Sequence, residues 1–288
     1  MSYDMHILRG DDIPPSLLEI PESPKELYIL GSLPESHYIF LTIVGSRKYT
    51  SYGKEATLKL VEALRGYPVV IVSGLAMGID TLAHENALRV GLKTIAFPGS
   101  GLHPSVLYPR INVNLAKRII DAGGAIISEF KPEQTAAMWT FPRRNRLMAG
   151  ISQATLLIEA GEKSGTLITA RLVPEYNRDL LVVPGNIFSS ASKGTNQFLR
   201  LGATPITCGD DLLEALHLTK REEDNSMELE FENASPDEKK VLELLHEPMP
   251  RDELFRELGM SLSETQALLS VMEIKGLIKE EYGEMRRS

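Results

Sequence analysis

Six short apolar runs recur along this chain at intervals of 24 to 31 residues: "YIFLTIVG", "VVIVSG", "KTIAFPG", "GAIISEF", "ATLLIEA" and "DLLVVPG". None alternates apolar with polar residues. Each is therefore expected to be a strand buried on both faces, which happens in a parallel sheet covered by helices on either side. The stretches between the runs are amphipathic, with helices expected from about Gly53, Ile79 and Asn112, and at "RRNRLMAGIS", "GTLITARLVPEY" and "TNQFLRLG". Strand, turn and helix in regular succession predict a Rossmann-like, doubly wound, mostly parallel α/β sheet.

The flanks differ from this body. Residues 1–37 are punctuated by prolines and carry little periodic apolar character, and they read as an N-terminal strap laid on the core of residues 38–218. Residues 219–234 are polar and charge-dense, the composition of a linker. From 235 to 288 a cap-and-proline start at Ser235 and Pro236 opens three short helices, about 236–246, 251–258 and 263–275. "GLIKEEYGEMRR" then reads as a β-hairpin, and three helices with a hairpin predict a small winged-helix domain.

The 288 residues carry a formal net charge of −8. Residues 220–288 hold 10 Lys and Arg against 18 Asp and Glu, so the excess lies there and 1–219 are balanced, 21 against 21. Within 140–200 the balance reverses, with eight basic residues against four acidic. A locally positive surface on a neutral body suits a polyanion. The single cysteine, Cys208, excludes a disulfide framework and a cysteine zinc cluster. No apolar run reaches the ~18–20 residues that span a bilayer, and no signal segment opens the chain, so the expectation is a cytoplasmic protein without a membrane partner.

Nearly every expected strand ends in glycine or another small residue. In an open parallel sheet these ends share one edge, where backbone amides and helix N-termini receive anions. The first strand closes on Gly45 and Ser46, followed by Arg47; the second closes on Ser73 and Gly74; the fifth leads into Ser164, Gly165 and Thr166. Between the fourth and fifth stands "WTFPRRNRLMAGIS", where Arg143, Arg144, Asn145 and Arg146 follow Trp139 and Phe141. Three cations near a helix N-terminus oppose its dipole unless an anion is held there. Arginine forks grip phosphate oxygens and an aromatic face stacks a base, so the pattern predicts a strand of several nucleotides. Asp80 and His84, spaced i, i+4 in "GIDTLAH", are expected to serve packing and hydrogen bonding, since no third metal ligand accompanies them.

In this order "VGSRKYTSYG", "VSGLAMGIDTLAH", "FPRRNRLMAGIS", "EAGEKSGTLITA" and "VPGNIFSSASKGTNQFLRLGA" resemble the DNA-processing protein A family, DprA or Smf, over about residues 38–207. The tail resembles the winged-helix domain of many members. The resemblance implies a core that binds single-stranded DNA, forms homodimers, protects incoming DNA and recruits the recombinase RecA in natural transformation, with no cofactor. Carried over by position, Gly45, Ser46 and Arg47, then Arg144, Asn145 and Arg146, then Ser164, Gly165 and Thr166 line the binding crevice, with Phe141 as a stacking platform. Only the 37-residue lead-in precedes the first strand, where many members carry a helical domain, and Pro174 falls in a helix that usually runs unbroken.

Two alternatives use the same crevice. One is a sensor of small nucleotides, although the Gly-x-Gly-x-x-Gly fingerprint is missing. The other is an enzyme similar to the nucleotide phosphoribohydrolases, in which a Pro-Gly-Gly-x-Gly-Thr-x-x-Glu loop supplies a catalytic glutamate. Thr169 stands at that position here, and threonine has no pKa suited to proton transfer. With no Walker-type loop, nucleophile elbow or metal-ligand cluster in the sequence, a non-enzymatic binder is expected. The third helix of the tail carries Glu264 and Glu273 against Lys275, which favours a protein contact over a DNA groove, and Leu268, Val271 and Met272 are expected in the small domain's own core.

Overall fold

A computed structural model describes residues 4–219, 235–246, 248–281 and 283–287, which fall into two compact units divided after Thr219. The linker expected at 219–234 lies, apart from Thr219, outside the described residues.

The first unit is built on one nine-stranded sheet. Its strands are β1 (Met5–Arg9), β2 (Glu26–Gly31), β3 (Ile39–Val44), β4 (Val69–Ser73), β5 (Lys93–Ala96), β6 (Ala125–Ser128), β7 (Ala154–Leu157), β8 (Asp179–Val182) and β9 (Thr204–Pro205), in the spatial order β1-β2-β6-β5-β4-β3-β7-β8-β9. From β6 to β9 every neighbouring pair is parallel. The helices are α1 (Pro15–Leu18), α2 (Ser51–Glu62), α3 (Ile79–Arg89), α4 (Val113–Asp121), α5 (Thr140–Ile151), α6 (Thr166–Glu175), α7 (Lys193–Arg200) and α8 (Gly209–Ala215).

The continuous apolar character of the strands is explained by burial on both faces. Val69 and Ile71 of β4 enter the core formed with α2, α3 and α8, whereas Val70 and Val72 enter the core formed with α1, α5, α6 and α7. A third cluster under α4 joins Leu115 and Ile119 to Ala96 and Ile126. Each fully buried branched side chain contributes about 1.5–3 kcal/mol of transfer free energy. The fold is thus the doubly wound sheet that the sequence predicts. Pro174 sits in the last turn of α6, which ends one residue later, so the missing amide hydrogen interrupts little of the helix.

The lead-in segment differs from the strap expected of it. β1 and β2 extend the sheet antiparallel beyond β6, and Ile13, Leu17, Ile20 and Leu27 are buried in the core. An outer antiparallel strand needs apolar residues on one face only, so "MHILR" lacks the run that marks an inner strand.

The second unit holds helices Pro236–Leu244, Arg251–Leu258 and Leu262–Ile274 and a three-stranded sheet of Met249–Pro250, Glu284–Arg287 and Ile278–Glu281, in that spatial order. Ser235 and Ser261 each close a capping box, with Glu238 and Glu264 respectively. Leu242, Leu254, Leu269, Met272 and Met285 meet in its core. Leu268 packs against that core, but Val271 is 46% exposed, a correction to its expected burial, because it lies on the helix face opposite Leu269 and Thr265. Lys275 is paired with Glu238 at 2.6 Å, so the outward helix offers no free cation.

Candidate nucleic-acid interface

Strands β3 and β7 are neighbours, yet the chain leaves β3 toward α2 on one face and β7 toward α6 on the other. This is the topological switch point, where diverging loops open a crevice at the carboxyl edge. A cleft of about 640 Å³ lies there. Its walls come from Gly45 to Lys48 after β3, Ala76 and Asp80 after β4, Phe141, Arg144 and Asn145 on α5, and Lys163 to Thr166 at the start of α6.

Local chemistry fixes these loops. Glu159, buried beyond β7, accepts the backbone N–H of Thr50 at 2.9 Å and its hydroxyl at 2.5 Å. Thr50 in turn caps α2 by accepting from Gly53 N–H. Thr166 Oγ1 donates to the Gly45 carbonyl at 3.1 Å, tying the two loops at the switch point. The N-terminus of α6 opens at the cleft wall, where its partial positive charge favours an anion.

The three arginines of α5 do not form one cluster. Arg144 is buried beside the cleft, donating to the carbonyls of Gly74 and Phe97 and, at 3.1 Å, to Asn145 Oδ1. A Cβ at Gly74 would overlap the guanidinium, so any larger residue there would displace Arg144 from this position. Burial lowers the Arg144 pKa to about 10, against the opposing attraction of Asp80, and it stays charged at neutral pH. Burial raises the Asp80 pKa, with Arg144 and the Gly74 amide, bonded at 3.0 Å, offsetting part of that effect.

Arg143 and Arg146 lie three residues apart and about 60° apart around the helix axis, facing a separate depression shared with Glu22, Lys25 and Glu129. Glu129 holds Arg143 Nε at 3.2 Å and also pairs with Arg146 Nη2, while Arg146 Nη1 donates to the Glu22 carbonyl. Their expected place in the phosphate cluster is corrected for this reason: Glu129, just past β6, is shared by both and holds them at this depression, away from the cleft. Ser73 is likewise removed from the crevice, being fully buried with its hydroxyl on the Ile43 carbonyl at 2.6 Å.

The remaining predicted residues converge. Gly45, Ser46, Arg47, Phe141, Arg144, Asn145, Ser164, Gly165 and Thr166 line the cleft, and Gly74 borders an adjoining recess. The Arg47 guanidinium stands 5.3 Å from the centroid of the Phe141 ring. Phe141 lies so close to Gly99 that a Cβ there would come within 2.5 Å of the ring. Trp139 instead packs edge-on against Phe130.

Sequence reasoning missed Lys48 and Lys163, exposed cations adjoining the glycine-rich motifs, and the apolar wall of Met138, Met148 and Ile168. Adjacency to "GSR" and "SGT" was the available signal. The lining holds Arg47, Lys48, Arg144 and Lys163 against Asp80 alone, an excess of three positive charges. His84 accompanies Asp80 on α3 but bonds Thr94 Oγ1 at 2.7 Å, and among the described residues no group of three or more His, Cys, Asp or Glu forms a metal site.

A doubly wound sheet with a cationic, aromatic-walled cleft at its switch point defines the class, a Rossmann-like α/β protein. The chain belongs to the DNA recombination-mediator protein A family, whose model matches residues 4–217, and residues 228–284 match the DprA winged helix domain. It is 34% identical to Protein Smf of Escherichia coli over 95% of this chain and 75% of that protein. DNA processing protein DprA of Streptococcus pneumoniae is 38% identical over 70% of this chain and 71% of its own length. Among solved structures, DNA processing protein A of Helicobacter pylori, described for its single-stranded DNA binding mode, superposes with a TM-score of 0.66 at 31% identity, covering 75% of this chain and 96% of that one.

Proposed function

We propose that this chain binds single-stranded DNA in the switch-point cleft and acts in the cytoplasm as a non-enzymatic recombination mediator, a homodimer through its core that protects incoming strands and loads RecA during natural transformation. The excess of three positive charges beside the Phe141 ring carries the reading. Phosphates meet Arg47, Lys48 and Lys163, Arg144 supplies buried positive potential, and a base lies against Phe141. The binding mode described for the Helicobacter pylori relative supports it. Affinity of this kind rests on counterion release, with a log–log salt slope of about −0.7 for each phosphate neutralised on a single strand. Anisotropy of a labelled ~20-nucleotide strand beside its duplex is expected to show preference for the single strand and a slope of about −2 to −3. A flat salt series would overturn the reading.

One observation favours a second use of the cleft. Asp80 is an acidic residue in its wall with a raised pKa, the property of a group that moves protons. Its contacts with the Gly74 amide and the Arg144 charge make it a brace for the β4 loop instead. Release of free base from nucleoside monophosphates would establish hydrolysis and displace the binding role.

A further inference from the structure

Among its described residues the first unit exposes thirteen large apolar side chains, and their distribution is uneven. Ile7, Leu18 and Leu201 lie elsewhere; the other ten occupy loops or first helical turns that follow β3 to β8. Each of those six connections contributes one or two, so they are spread along the whole carboxyl edge. The same loops carry Arg47, Lys48 and Lys163. Apolar faces set in ones and twos along an edge that also carries cations make a track for stacked bases and a phosphate backbone, whereas a protein-binding face concentrates its apolar area in one patch.

Two members stand at stations outside the cleft. Tyr108, 39% exposed, follows β5; its ring centroid is 5.8 Å from that of Phe141. It borders the recess shared with Arg47, Met77 and Arg144, which is too shallow to enclose a base, so a base would lie across the rim on the ring. Phe188, 90% exposed, crowns the loop after β8. That loop is braced: Phe188 N–H donates to Asn186 Oδ1 at 2.8 Å, and Asn196 exchanges two hydrogen bonds with the backbone of Gly185. A rigid support holding an aromatic ring in water is preorganised for a ligand.

We propose that the bound strand runs transverse to the β-strands along this edge, leaving the cleft on both sides, with one base stacked on Tyr108 and another on Phe188. This rests on the reading of the cleft as a single-strand site. In the order β5-β4-β3-β7-β8 the two stations are four strand spacings apart, about 19 Å at ~4.8 Å each. At a stacked rise of about 3.4 Å the interval holds about six nucleotides, and fewer if the strand is stretched.

The test measures affinities of the full chain for oligothymidylates of 3 to 12 nucleotides at fixed salt, for wild type, Tyr108→Ala, Phe188→Ala, the double variant and Tyr108→Phe. Wild-type affinity is expected to rise with length and level off near six nucleotides. Each alanine is expected to weaken long strands about tenfold while leaving the trimer unchanged, and Tyr108→Phe to behave as wild type. A double variant that binds every length as wild type does would overturn the track. So would an equal loss on the trimer, since the rings would then be supporting the cleft, or altered sedimentation of the DNA-free variant, since the edge would then join copies of the chain. If wild type binds no oligothymidylate, the reading of the cleft itself falls.

Discussion

The two sides of helix α5 carry the same residue type to opposite ends. On one side Arg143 and Arg146 meet Glu129, and the charge is consumed in joining the end of β6 and the lead-in segment to the helix. On the other, Arg144 meets backbone carbonyls and a single carboxylate, so its field reaches a cleft where Arg47, Lys48 and Lys163 are exposed. Arginine count says little about anion binding; the position of the nearest carboxylate decides it. Cations that hold the fold and cations that await a ligand should respond differently to mutation.

The largest effect is expected on the holding side. Arg146 and Glu129 are 7% and 6% exposed, so Arg146→Ala leaves a buried carboxylate with only the peripheral Arg143. Loss of one partner from a buried pair costs about 3–5 kcal/mol, read as a lower urea midpoint of the core at unchanged m-value. A midpoint shift worth under about 1 kcal/mol would mean that the pair is solvated as a surface bridge is.

The next effect concerns the buried positive region around Arg144. Thr94 donates its hydroxyl proton to the Ile71 carbonyl, so His84 must donate from Nδ1, leaving Nε2 bare and without a partner among the described residues. Burial, followed by the Arg144 charge, lowers the His84 pKa to about 3. The unfolded chain takes up a proton near pH 6.5 that the folded chain refuses, so stability falls as the pH drops from about 6.5 toward 3. By pH 5 the loss is about 2 kcal/mol, from ~1.4 kcal/mol per pH unit. His84→Asn, which keeps a donor toward Thr94, should remove that part of the acid sensitivity. Parallel stability–pH curves for the two proteins would refute the assignment.

On the waiting side the effect moves from stability to binding. Arg47 has no hydrogen bond or ion pair to an acceptor among the described residues, only the face of Phe141. Arg47→Ala should therefore leave the urea midpoint unchanged and weaken single-strand binding about tenfold, the scale of a charged hydrogen bond of about 1.5 kcal/mol. A variant that unfolds earlier and binds normally would place Arg47 with the holding arginines.

How far this division could be read beforehand follows from the range of each signal. The parallel sheet was legible because strands buried on both faces leave unbroken runs such as "VVIVS", and the glycines after them marked the edge where the cleft lies. The convergence of "GSR" and "SGT" on one cleft followed from that edge. The fate of the arginines was hidden, because Glu129 meets Arg146 only when α5 folds back on the end of β6, and Glu22, far off in sequence, only when β2 joins β6 antiparallel. That pairing was itself obscured by prolines, which suggested a strap. Ser73 was misread for a related reason: a residue at a strand's last position faces a neighbouring strand's carbonyl as readily as the crevice.

The smallest effect sharpens the comparison most. Lys163 and Arg143 are both exposed cations, one in the loop before α6 and one on the far side of α5. If proximity to the cleft is what matters, Lys163→Ala should reduce the magnitude of the log–log salt slope for single-strand binding by about 0.7, the share of one phosphate. Its affinity should fall only a few-fold, about 0.5–1 kcal/mol, as for a flexible ammonium in high dielectric. Arg143→Ala removes the same formal charge from the same unit and should leave the slope unchanged. If net charge and not placement set the affinity, the two variants would move the slope equally. Measured side by side across one salt series, they separate a built site from a merely basic surface.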